Sequence, residues 1–206
     1  MNRVILIGGA PTNGKSFIAR KLAAEFNLPW ISTDTFRETM REIVRKEDYP
    51  HLFQFADKEV TAEEYLSSHT PQEIVDTQNA ESTEIWKGVK GLIEHDYVWK
   101  TFIVEGVAIL PALVKQLDLS KTEILPIFLI DEDRERVKNV VYTRGLWDDA
   151  KTYSDDVKGI EVEWAMLFSN YLKKEALKYT YKPYLIKDRD DFLSGLTIEV
   201  KNWLEK

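Results

Sequence analysis

One glycine-rich segment near the amino terminus restricts the fold of this chain more than any other feature. Residues 9–16, Gly-Ala-Pro-Thr-Asn-Gly-Lys-Ser, match the pattern G-x-x-x-x-G-K-[ST] in full. An apolar run at residues 3–7 precedes this segment, and residues 15–26 carry apolar side chains at three- to four-residue spacing. The sequence therefore predicts a buried strand, a phosphate-binding loop and a helix in direct succession.

The residue types of this motif suit the phosphates of a nucleoside triphosphate. Glycines let the backbone curl until successive N–H groups point inward, and the start of a helix adds partial positive charge. The ammonium group of Lys15 then neutralises phosphate oxygens, and the Ser16 hydroxyl is a ligand for Mg²⁺. We predict ATP and Mg²⁺ as cofactors; the alternative is a glycine-rich turn with an exposed lysine. The predicted phosphate-binding residues are Gly9, Ala10, Pro11, Thr12, Asn13, Gly14, Lys15 and Ser16.

Alternating apolar runs and amphipathic segments predict a single α/β domain over residues 1–206. Further buried strands are predicted at residues 28–32, 101–104, 123–130 and 184–187, and further helices at residues 35–46, 160–178 and 191–205. Strands that alternate with helices favour a mostly parallel central sheet with right-handed crossovers. The expected fold class is therefore a three-layer P-loop NTPase.

Two segments interrupt this alternation. Residues 49–98 look mainly helical, and we expect this insert to form a wall of the acceptor site. Residues 145–158 break the helical period and carry many acidic side chains. We interpret this second segment as a surface loop or a mobile lid.

Charged residues follow the second predicted strand. Asp34, Arg37 and Arg41 stand at i, i+3 and i+7, which is one stripe of a helix. Because the carboxyl ends of parallel strands line the ligand crevice, this stripe would face a substrate, and its two guanidinium groups suit an anionic acceptor. The alternative is a helix cap at Asp34 and a surface stripe in which the arginines pair with Glu38 and Glu42.

A second carboxylate ends the third apolar run, where Glu105 is followed by Gly106. Glu105 is a candidate to orient a Mg²⁺-bound water, to bind an acceptor hydroxyl, or to act as general base. Asp34 is an equal candidate for the base, and we favour it. A buried structural carboxylate is the alternative for Glu105.

An arginine stands at the junction of a predicted helix and the acidic segment. Arg144 precedes Gly145, so its side chain could swing onto the triphosphate and stabilise charge on the transferred group. The alternative is a cation that complements the carboxyl end of the helix. We expect Arg134 and Arg136 to form surface ion pairs, and residues 187–189 to flank the adenine.

The overall charge bears on the kind of partner. With 28 basic and 35 acidic residues the net charge is −7, which argues against broad binding to nucleic acid. The absence of cysteine excludes disulfides and thiolate metal sites, and no apolar run approaches the roughly 20 residues that span a bilayer. We therefore expect a cytoplasmic protein whose partner is a small molecule, with no membrane or nucleic-acid partner; the oligomeric state stays open.

Three segments, taken together, resemble a known family. GGAPTNGKSFIARKLA, ISTDTFRETMR and FIVEGVAILP are similar to the 2-phosphoglycerate kinase family of P-loop kinases and its bacterial relatives. The likeness covers most of residues 1–115, with a weaker similarity at residues 170–186. It implies a nucleotide-kinase-like fold, use of Mg-ATP, and a small hydroxylated acceptor with or without a phosphate of its own. It also implies phosphate binding by Gly14, Lys15 and Ser16, and an acceptor-side role for Asp34, Arg37 and Glu105.

The features combine into a prediction of a small-molecule kinase. Lys15, Mg²⁺ and Arg144 would hold the triphosphate while Asp34 positions the acceptor hydroxyl, so that catalysis is mainly positioning and electrostatics. The predicted catalytic residues are Lys15, Asp34, Glu105 and Arg144. The predicted acceptor-binding residues are Asp34, Arg37, Arg41, Glu105 and Gly106.

Other functions are open on the same scaffold. A nucleoside or nucleotide kinase needs aromatic and amide groups for a base, and Phe53, Gln54, Phe55 and Gln78 keep that alternative open. Trp164 is a candidate for stacking on a base or acceptor, although core packing is favoured. A nucleotide-dependent switch is disfavoured because the base-reading N-K-x-D motif is absent, and the acidic balance disfavours a kinase that acts on RNA.

Overall fold

The central element of the structure is one parallel β-sheet. The computed structural model describes residues 2–54, 60–95, 98–146, 150–187 and 189–206, without the side chains of residues 189 and 190. The strands are β1 (Asn2–Gly9), β2 (Trp30–Ser32), β3 (Thr101–Gly106), β4 (Thr122–Ile130) and β5 (Pro183–Leu185). Their order is β2-β3-β1-β4-β5, and each neighbouring pair is parallel.

Helices cover both faces of this sheet. They are α1 (Lys15–Phe26), α2 (Thr33–Ile43), α3 (Ala62–Ser68), α4 (Pro71–His95), α5 (Pro111–Val114), α6 (Arg134–Arg144), α7 (Asp155–Lys178) and α8 (Arg189–Leu204), with a 3-10 helix at Pro50–Phe53. Alternate residues of β1 enter two different cores: Val4 and Leu6 pack in the core that includes α4 and α7, whereas Ile5 and Ile7 pack with α1 and α8. This two-sided burial explains the continuous apolar run and confirms the three-layer α/β prediction.

Helix α2 begins with a cap at Ser32, and not at Asp34, where one of the alternative interpretations placed it. The Ser32 hydroxyl accepts a hydrogen bond from the Asp34 backbone N–H at 3.2 Å, so Ser32 is the N-cap. Asp34 is thereby free of a capping role and stands in the first turn, where its negative charge is favourable. The Asp34 carboxylate therefore pairs with the side chain of Arg37 instead of capping the helix.

The predicted insert is mainly helical in its described residues. The 3-10 helix, α3 and α4 account for most of residues 49–98, and α4 packs against both α2 and α7. The buried face of α4 carries Ile74, Ile85, Val89 and Ile93. This long helix is therefore a fixed wall rather than a peripheral extension.

The acidic segment at residues 145–158 differs in part from the predicted loop. Helix α7 begins at Asp155, and the Ser154 hydroxyl accepts from the Val157 backbone N–H. Tyr153 is buried, and its hydroxyl donates to the buried Glu161 carboxylate at 2.6 Å. The loop prediction is wrong for residues 155–158, because their acids stabilise a helix start. Residues 147–149 lie outside the described residues, as do Phe55 and Asp188.

None of the described helices combines the length and the apolar character that crossing a membrane requires.

Candidate active site

The carboxyl ends of three neighbouring strands open into one cleft of about 690 Å³. Glu105 of β3 pairs in register with Ile7 of β1 and Ser32 of β2, so the segments that follow these strands converge. The cleft is closed on its far side by α4, α6 and α7. Its polar and charged lining consists of Thr12, Lys15, Ser16, Arg20, Asp34, Arg37, Arg41, Gln78, Glu81, Glu105 and Arg144.

The loop after β1 is shaped by its backbone and by one buried side chain. Gly14 has φ 74° and directly precedes α1, a left-handed conformation that glycine adopts without a steric penalty. The buried amide of Asn13 donates to the Leu129 carbonyl of β4 at 2.8 Å. Asn13 therefore anchors the loop to the neighbouring strand, a structural role that its predicted place in the phosphate site did not indicate.

Lys15 is the cleft residue whose charge is affected by Glu105, Asp34 and Arg144. Its Nζ donates to the Ala10 carbonyl at 2.9 Å, so the side chain folds back over its own loop. Burial lowers the pKa of Lys15, the charges of Glu105 and Asp34 act to raise it, and Arg144 adds to the lowering. The four side chains predicted as catalytic are therefore close enough to influence one another.

Glu105 has a buried oxygen without a partner. Its side chain is buried, and Oε1 has no hydrogen-bond partner among the described residues. Burial raises the pKa of Glu105, against the lowering effects of Lys15 and of the Ser16 and Ser32 hydroxyls. An unsatisfied carboxylate oxygen at this position is costly unless a ligand uses it.

The residues around this oxygen fit a hydrated Mg²⁺ ion. Mg²⁺ prefers oxygen ligands, and in nucleotide sites it usually binds one or two side chains, phosphate oxygens and water. The Ser16 hydroxyl and the carboxylates of Glu105 and Asp34 provide oxygens of this kind in the cleft. Nowhere in the described chain do three His, Cys, Asp or Glu side chains group as a metal site by themselves, so bound phosphate would have to complete the shell.

Gly106 fixes the separation between the two candidate carboxylates. It has φ 151°, and a Cβ at this position would lie 1.8 Å from the Thr33 Oγ1 atom at the start of α2. Only a glycine allows β3 and α2 to approach this closely. Gly106, like Gly9 and Ala10, is not among the cleft-lining residues, so its visible contribution is to bring Asp34 beside Glu105.

The predicted arginine stripe faces the cleft and is held by carboxylates. Arg37 Nη1 lies 3.3 Å from Asp34 Oδ1, and its Nε lies 2.9 Å from Glu38 Oε1. Arg41 donates to the Leu52 carbonyl at 2.7 Å and pairs with Glu38 and with the buried Glu81, each at 3.0 Å. The Glu38 pairing foreseen as the surface alternative is therefore present, but both arginines also line the cleft.

Helix α4 contributes two polar residues to the cleft, Gln78 and Glu81. Both are buried, and the Trp164 indole of α7 donates to Gln78 Oε1 at 3.2 Å. Burial raises the pKa of Glu81 to about 7, although Arg37 and Arg41 lower it, while Asp34 and Glu38 add to the rise.

Sequence reasoning missed Glu81 and Arg20. It gave Gln78 only as a candidate for a contact to a base, and Trp164 as a candidate for stacking on a base or acceptor, with core packing favoured. A usable signal was present, because Gln78 and Glu81 interrupt the apolar stripe of α4 between Ile74 and Ile85 at helical spacing. Polar residues at such positions need a partner or a ligand. Arg20, one turn after Ser16 on α1, carried no comparable signal.

A second cavity of about 440 Å³ lies on the other side of the phosphate loop. Its wall includes Arg136, which binds the buried Asp131 carboxylate at 2.6 and 2.8 Å and donates to the carbonyls of Ile186 and Lys187. The prediction of a surface ion pair is confirmed for Arg134, which pairs with the exposed Glu163. For Arg136 it holds only for a 3.9 Å contact with the exposed Asp133, because the closest partner of Arg136 is the buried Asp131. Lys187 lines this cavity, as the predicted adenine contact requires.

Arg144 is the last residue of α6 and lines the cleft. Gly145 follows with φ 78°, and its N–H donates to the Val141 carbonyl, which ends the helix. The position satisfies both interpretations of Arg144, as a helix-terminal cation and as a group facing the phosphates.

The cleft carries more positive than negative side chains. Five cationic groups, Lys15, Arg20, Arg37, Arg41 and Arg144, face three acidic ones, Asp34, Glu81 and Glu105. This local excess stands in a chain of net charge −7, so the basic residues are concentrated here. Such a cleft attracts an anionic ligand.

The residues that kept a nucleobase site open are dispersed. Phe53 packs against the larger core, Gln54 is exposed, and neither lines the cleft. Of the described members of this set, Gln78 alone lines the cleft, and its amide oxygen accepts a hydrogen bond from Trp164. The described residues thus do not group into a base-reading pair.

The chain is similar in sequence to proteins that carry the name 2-phosphoglycerate kinase. No protein-family model matches the chain. The 2-phosphoglycerate kinase of Methanocaldococcus jannaschii is 31% identical over 144 residues, which is 69% of this chain and 46% of that protein. The enzyme of the same name from Methanothermobacter thermautotrophicus is 33% identical over 149 residues, which is 68% of this chain and 47% of that protein. The chain thus spans about half the length of these relatives.

Solved structures with a similar fold include two that align over nearly the whole chain. Shikimate kinase from Bacteroides thetaiotaomicron is 16% identical, with a TM-score of 0.49 over 100% of this chain and 99% of that chain. An uncharacterized protein from Eubacterium ventriosum is 18% identical, with a TM-score of 0.48 over the same shares.

Proposed function

The chain is a sequence relative of archaeal 2-phosphoglycerate kinases, as its motifs indicated, and from this premise we propose that it is an ATP-dependent phosphotransferase. The reaction would move the γ-phosphoryl group of Mg-ATP to a hydroxyl of a small anionic metabolite. One observation carries the proposal: the phosphate-loop lysine, the Asp34 carboxylate and the Arg37 guanidinium line the same cleft.

The two cavities together suit a nucleoside triphosphate. Thr12, Gly14 and Val140 line both of them, so a ligand could pass from one to the other along the phosphate loop. The smaller cavity, with Arg136 and Phe192 in its wall, would take the base and ribose. The larger cleft would then receive the γ-phosphate beside Lys15 and leave room for the acceptor.

The proposed transfer step needs one base and several cations. Asp34 takes the proton of the acceptor hydroxyl while the hydroxyl oxygen bonds to the γ-phosphorus and the bond from phosphorus to the β–γ bridging oxygen breaks, releasing ADP. Lys15 and Arg144 neutralise charge on the transferred group and on the leaving oxygen. The ion pair with Arg37 orients the Asp34 carboxylate.

Glu105 is assigned to the metal side of this step. Its buried position and unpartnered Oε1 suit a water bound to Mg²⁺ better than an exposed acceptor hydroxyl. When bound, the ion would supply positive charge that offsets the negative charge developing on the phosphate oxygens. Ser16 and Glu105 are the residues that would hold the ion and its water.

The acceptor proposed first is 2-phosphoglycerate, the substrate that names the archaeal relatives. The five cationic groups of the cleft suit both the triphosphate and an acceptor that carries a carboxylate and a phosphate. Because the matched region spans about half the length of these relatives, 2-phosphoglycerate is proposed as the acceptor on the strength of their name and of the charge of the cleft.

The test is a screen of Mg-ATP consumption by the purified protein. Acceptors would include 2-phosphoglycerate, glycerate, shikimate, nucleosides and nucleoside monophosphates, and product would be identified by ³¹P NMR. Lys15→Ala sets the background, and Lys21→Ala, on the same helix but outside the cleft, is the matched control. ADP formation that depends on one anionic acceptor is expected. Tight ATP binding with no acceptor-stimulated turnover would reject the kinase proposal.

A further inference from the structure

We infer that Gln78, with its amide oriented by Trp164, is a specificity-determining residue that donates a hydrogen bond to an anionic oxygen of the acceptor. The inference rests on the proposed kinase function and adds to it a residue that selects the acceptor. It concerns the part of the cleft formed by α4 and α7, away from the phosphate loop.

The orientation of the Gln78 amide follows from its contact with Trp164. An indole N–H is a donor only, and it lies 3.2 Å from one end of the amide. The end that faces the indole must therefore be the oxygen, which leaves the NH₂ group on the opposite side. Trp164 thus excludes the flipped amide, in which two donors would face each other.

The Gln78 NH₂ group is available to a ligand. No hydrogen bond from its Nε2 atom is found within the described parts of the chain. Nor does Nε2 belong to the fully buried polar atoms that lack a partner, so it retains contact with open space. Since Gln78 is 7% exposed and lines the cleft, that open space is the cleft itself.

The surroundings of this donor select for an oxygen anion. Glu81 lies one helical turn after Gln78 and holds Arg41 at 3.0 Å, so donors from α2 and α4 face the same volume. A carboxylate or phosphate has enough lone pairs to accept from several donors at once. A nucleobase read by an amide uses both the oxygen and the nitrogen of that amide, whereas Trp164 holds the Gln78 oxygen toward its own N–H.

A purely structural role for Gln78 predicts a different response to mutation. If Gln78 only satisfies the Trp164 N–H, then Gln78→Glu preserves that role, because a carboxylate oxygen accepts equally well. If Gln78 donates to the acceptor, the same change replaces a donor with a negative charge that repels an anion. The two interpretations therefore separate in one variant of nearly identical shape.

The experiment measures KM and kcat for 2-phosphoglycerate, or for whichever anionic acceptor the wild-type protein phosphorylates. For Gln78→Glu we expect the acceptor KM to rise about tenfold or more, with the KM for ATP within about twofold of wild type. Gln78→Met, which removes the donor without adding charge, should raise the acceptor KM by about three- to tenfold. Trp164→Phe should raise it less, because the freed amide still donates in one of its two orientations.

The matched control is Gln72→Glu, the same change on α4 at an exposed residue outside the cleft. It should leave both KM values near wild type, and the melting temperature of each variant shows whether it is folded. An acceptor KM that stays at the wild-type value in folded Gln78→Glu and Gln78→Met overturns the inference alone. Absence of acceptor-stimulated turnover in the wild type overturns the kinase proposal, and the inference with it.

Discussion

The two sides of the cleft are built in different ways. The nucleotide side is a short continuous piece of chain, in which β1, the loop and α1 follow one another and the main chain forms much of the site. The acceptor side is assembled from residues far apart in sequence, such as Arg41 with Glu81 and Gln78 with Trp164. The first kind of site follows from local conformation, whereas the second depends on how helices pack.

The largest effect is expected on the nucleotide side, at Lys15. Lys15→Ala removes the cation that would neutralise phosphate oxygens, so acceptor-dependent turnover should fall by about 10³-fold or more. The fold should persist, because the Lys15 side chain makes its visible hydrogen bond only to the Ala10 carbonyl of its own loop. Steady-state kinetics measure the turnover, and a melting curve shows whether the variant is folded. Full activity in this variant would contradict the assignment of residues 9–16 as a phosphate-binding loop.

The junction between the two sides should be the most sensitive to added volume. Gly106→Ala places a methyl group 1.8 Å from Thr33 Oγ1 at a positive φ, so β3 and α2 must separate. We expect a loss of about 2–4 kcal/mol in the free energy of unfolding, measured by urea denaturation.

Gly91→Ala is the matched control for this substitution. Its Cβ would meet nothing within 4 Å, in the interior of α4, so stability should hold or rise by about 0.5–1 kcal/mol. Equal responses at the two glycines would show that the close approach at Gly106 is unimportant.

Asp34 connects the two sides, and its replacement tests which of them it serves. Asp34→Asn keeps the size of the side chain but removes the base, so kcat should fall by about 10²-fold with ATP affinity changed only a few-fold. Nucleotide titration and initial rates give the two quantities. A loss confined to ATP binding would move Asp34 to the metal side and make Glu105 the leading candidate for the base.

The smallest predicted effect is a pH dependence that belongs to the acceptor side. Because burial raises the pKa of Glu81 to about 7, this carboxyl becomes charged between pH 6 and 8 and then offsets the charge of Arg41. The KM for an anionic acceptor should therefore rise about three- to tenfold over this range in the wild type relative to Glu81→Gln. Parallel KM profiles in the two proteins would contradict this role.

A neighbouring carboxylate provides the control for the pH experiment. Glu38 also pairs with Arg37 and Arg41, but it is exposed. Burial by itself raises the pKa of Glu38, but the hydrogen bonds and charges of Arg37 and Arg41 together lower it, so the carboxylate stays ionised from pH 6 to 8. Glu38→Gln should change the acceptor KM by the same factor at every pH.

The raised pKa of Glu81 also predicts how folding stability depends on pH. The folded protein keeps the proton of Glu81 at pH values where the unfolded chain has lost it, so the wild type should lose stability, relative to Glu81→Gln, as pH rises from about 4.5 to 7.

Much of the fold could be predicted because its determinants are local. The helix predicted at residues 15–26 is α1, and the strand predicted at residues 123–130 is β4 with one residue added. Both rest on apolar periodicity over short windows, which sterics and burial translate directly into structure. The sequence did not decide which of two neighbouring polar residues, Ser32 or Asp34, would cap α2. It also predicted a loop at residues 155–158, where the structure has the first turn of α7.

The parts of the site formed by residues close together in the sequence could be predicted, and the parts formed by distant residues could not. The phosphate loop, Asp34 and Glu105 follow from the rule that ligands bind at the carboxyl ends of parallel strands, and Asp34, Glu105 and most of the loop do line the cleft. The sequence pattern marks Glu81 as a polar residue in an apolar stripe, but it does not identify its partner Arg41, which lies 40 residues away. Nothing in the local pattern states which distant helix will face α4.

By itself, the amino-acid sequence determined a parallel α/β sheet, the position of the phosphate loop and the strand ends at which charged groups would gather. These follow from backbone sterics and the burial of apolar side chains, which act over a few residues. Only the tertiary structure decided that Trp164 would orient Gln78, that Glu81 would hold Arg41, and that Gly106 would bring Asp34 beside Glu105. Those contacts depend on the packing of whole helices, since their members meet only after the core has formed.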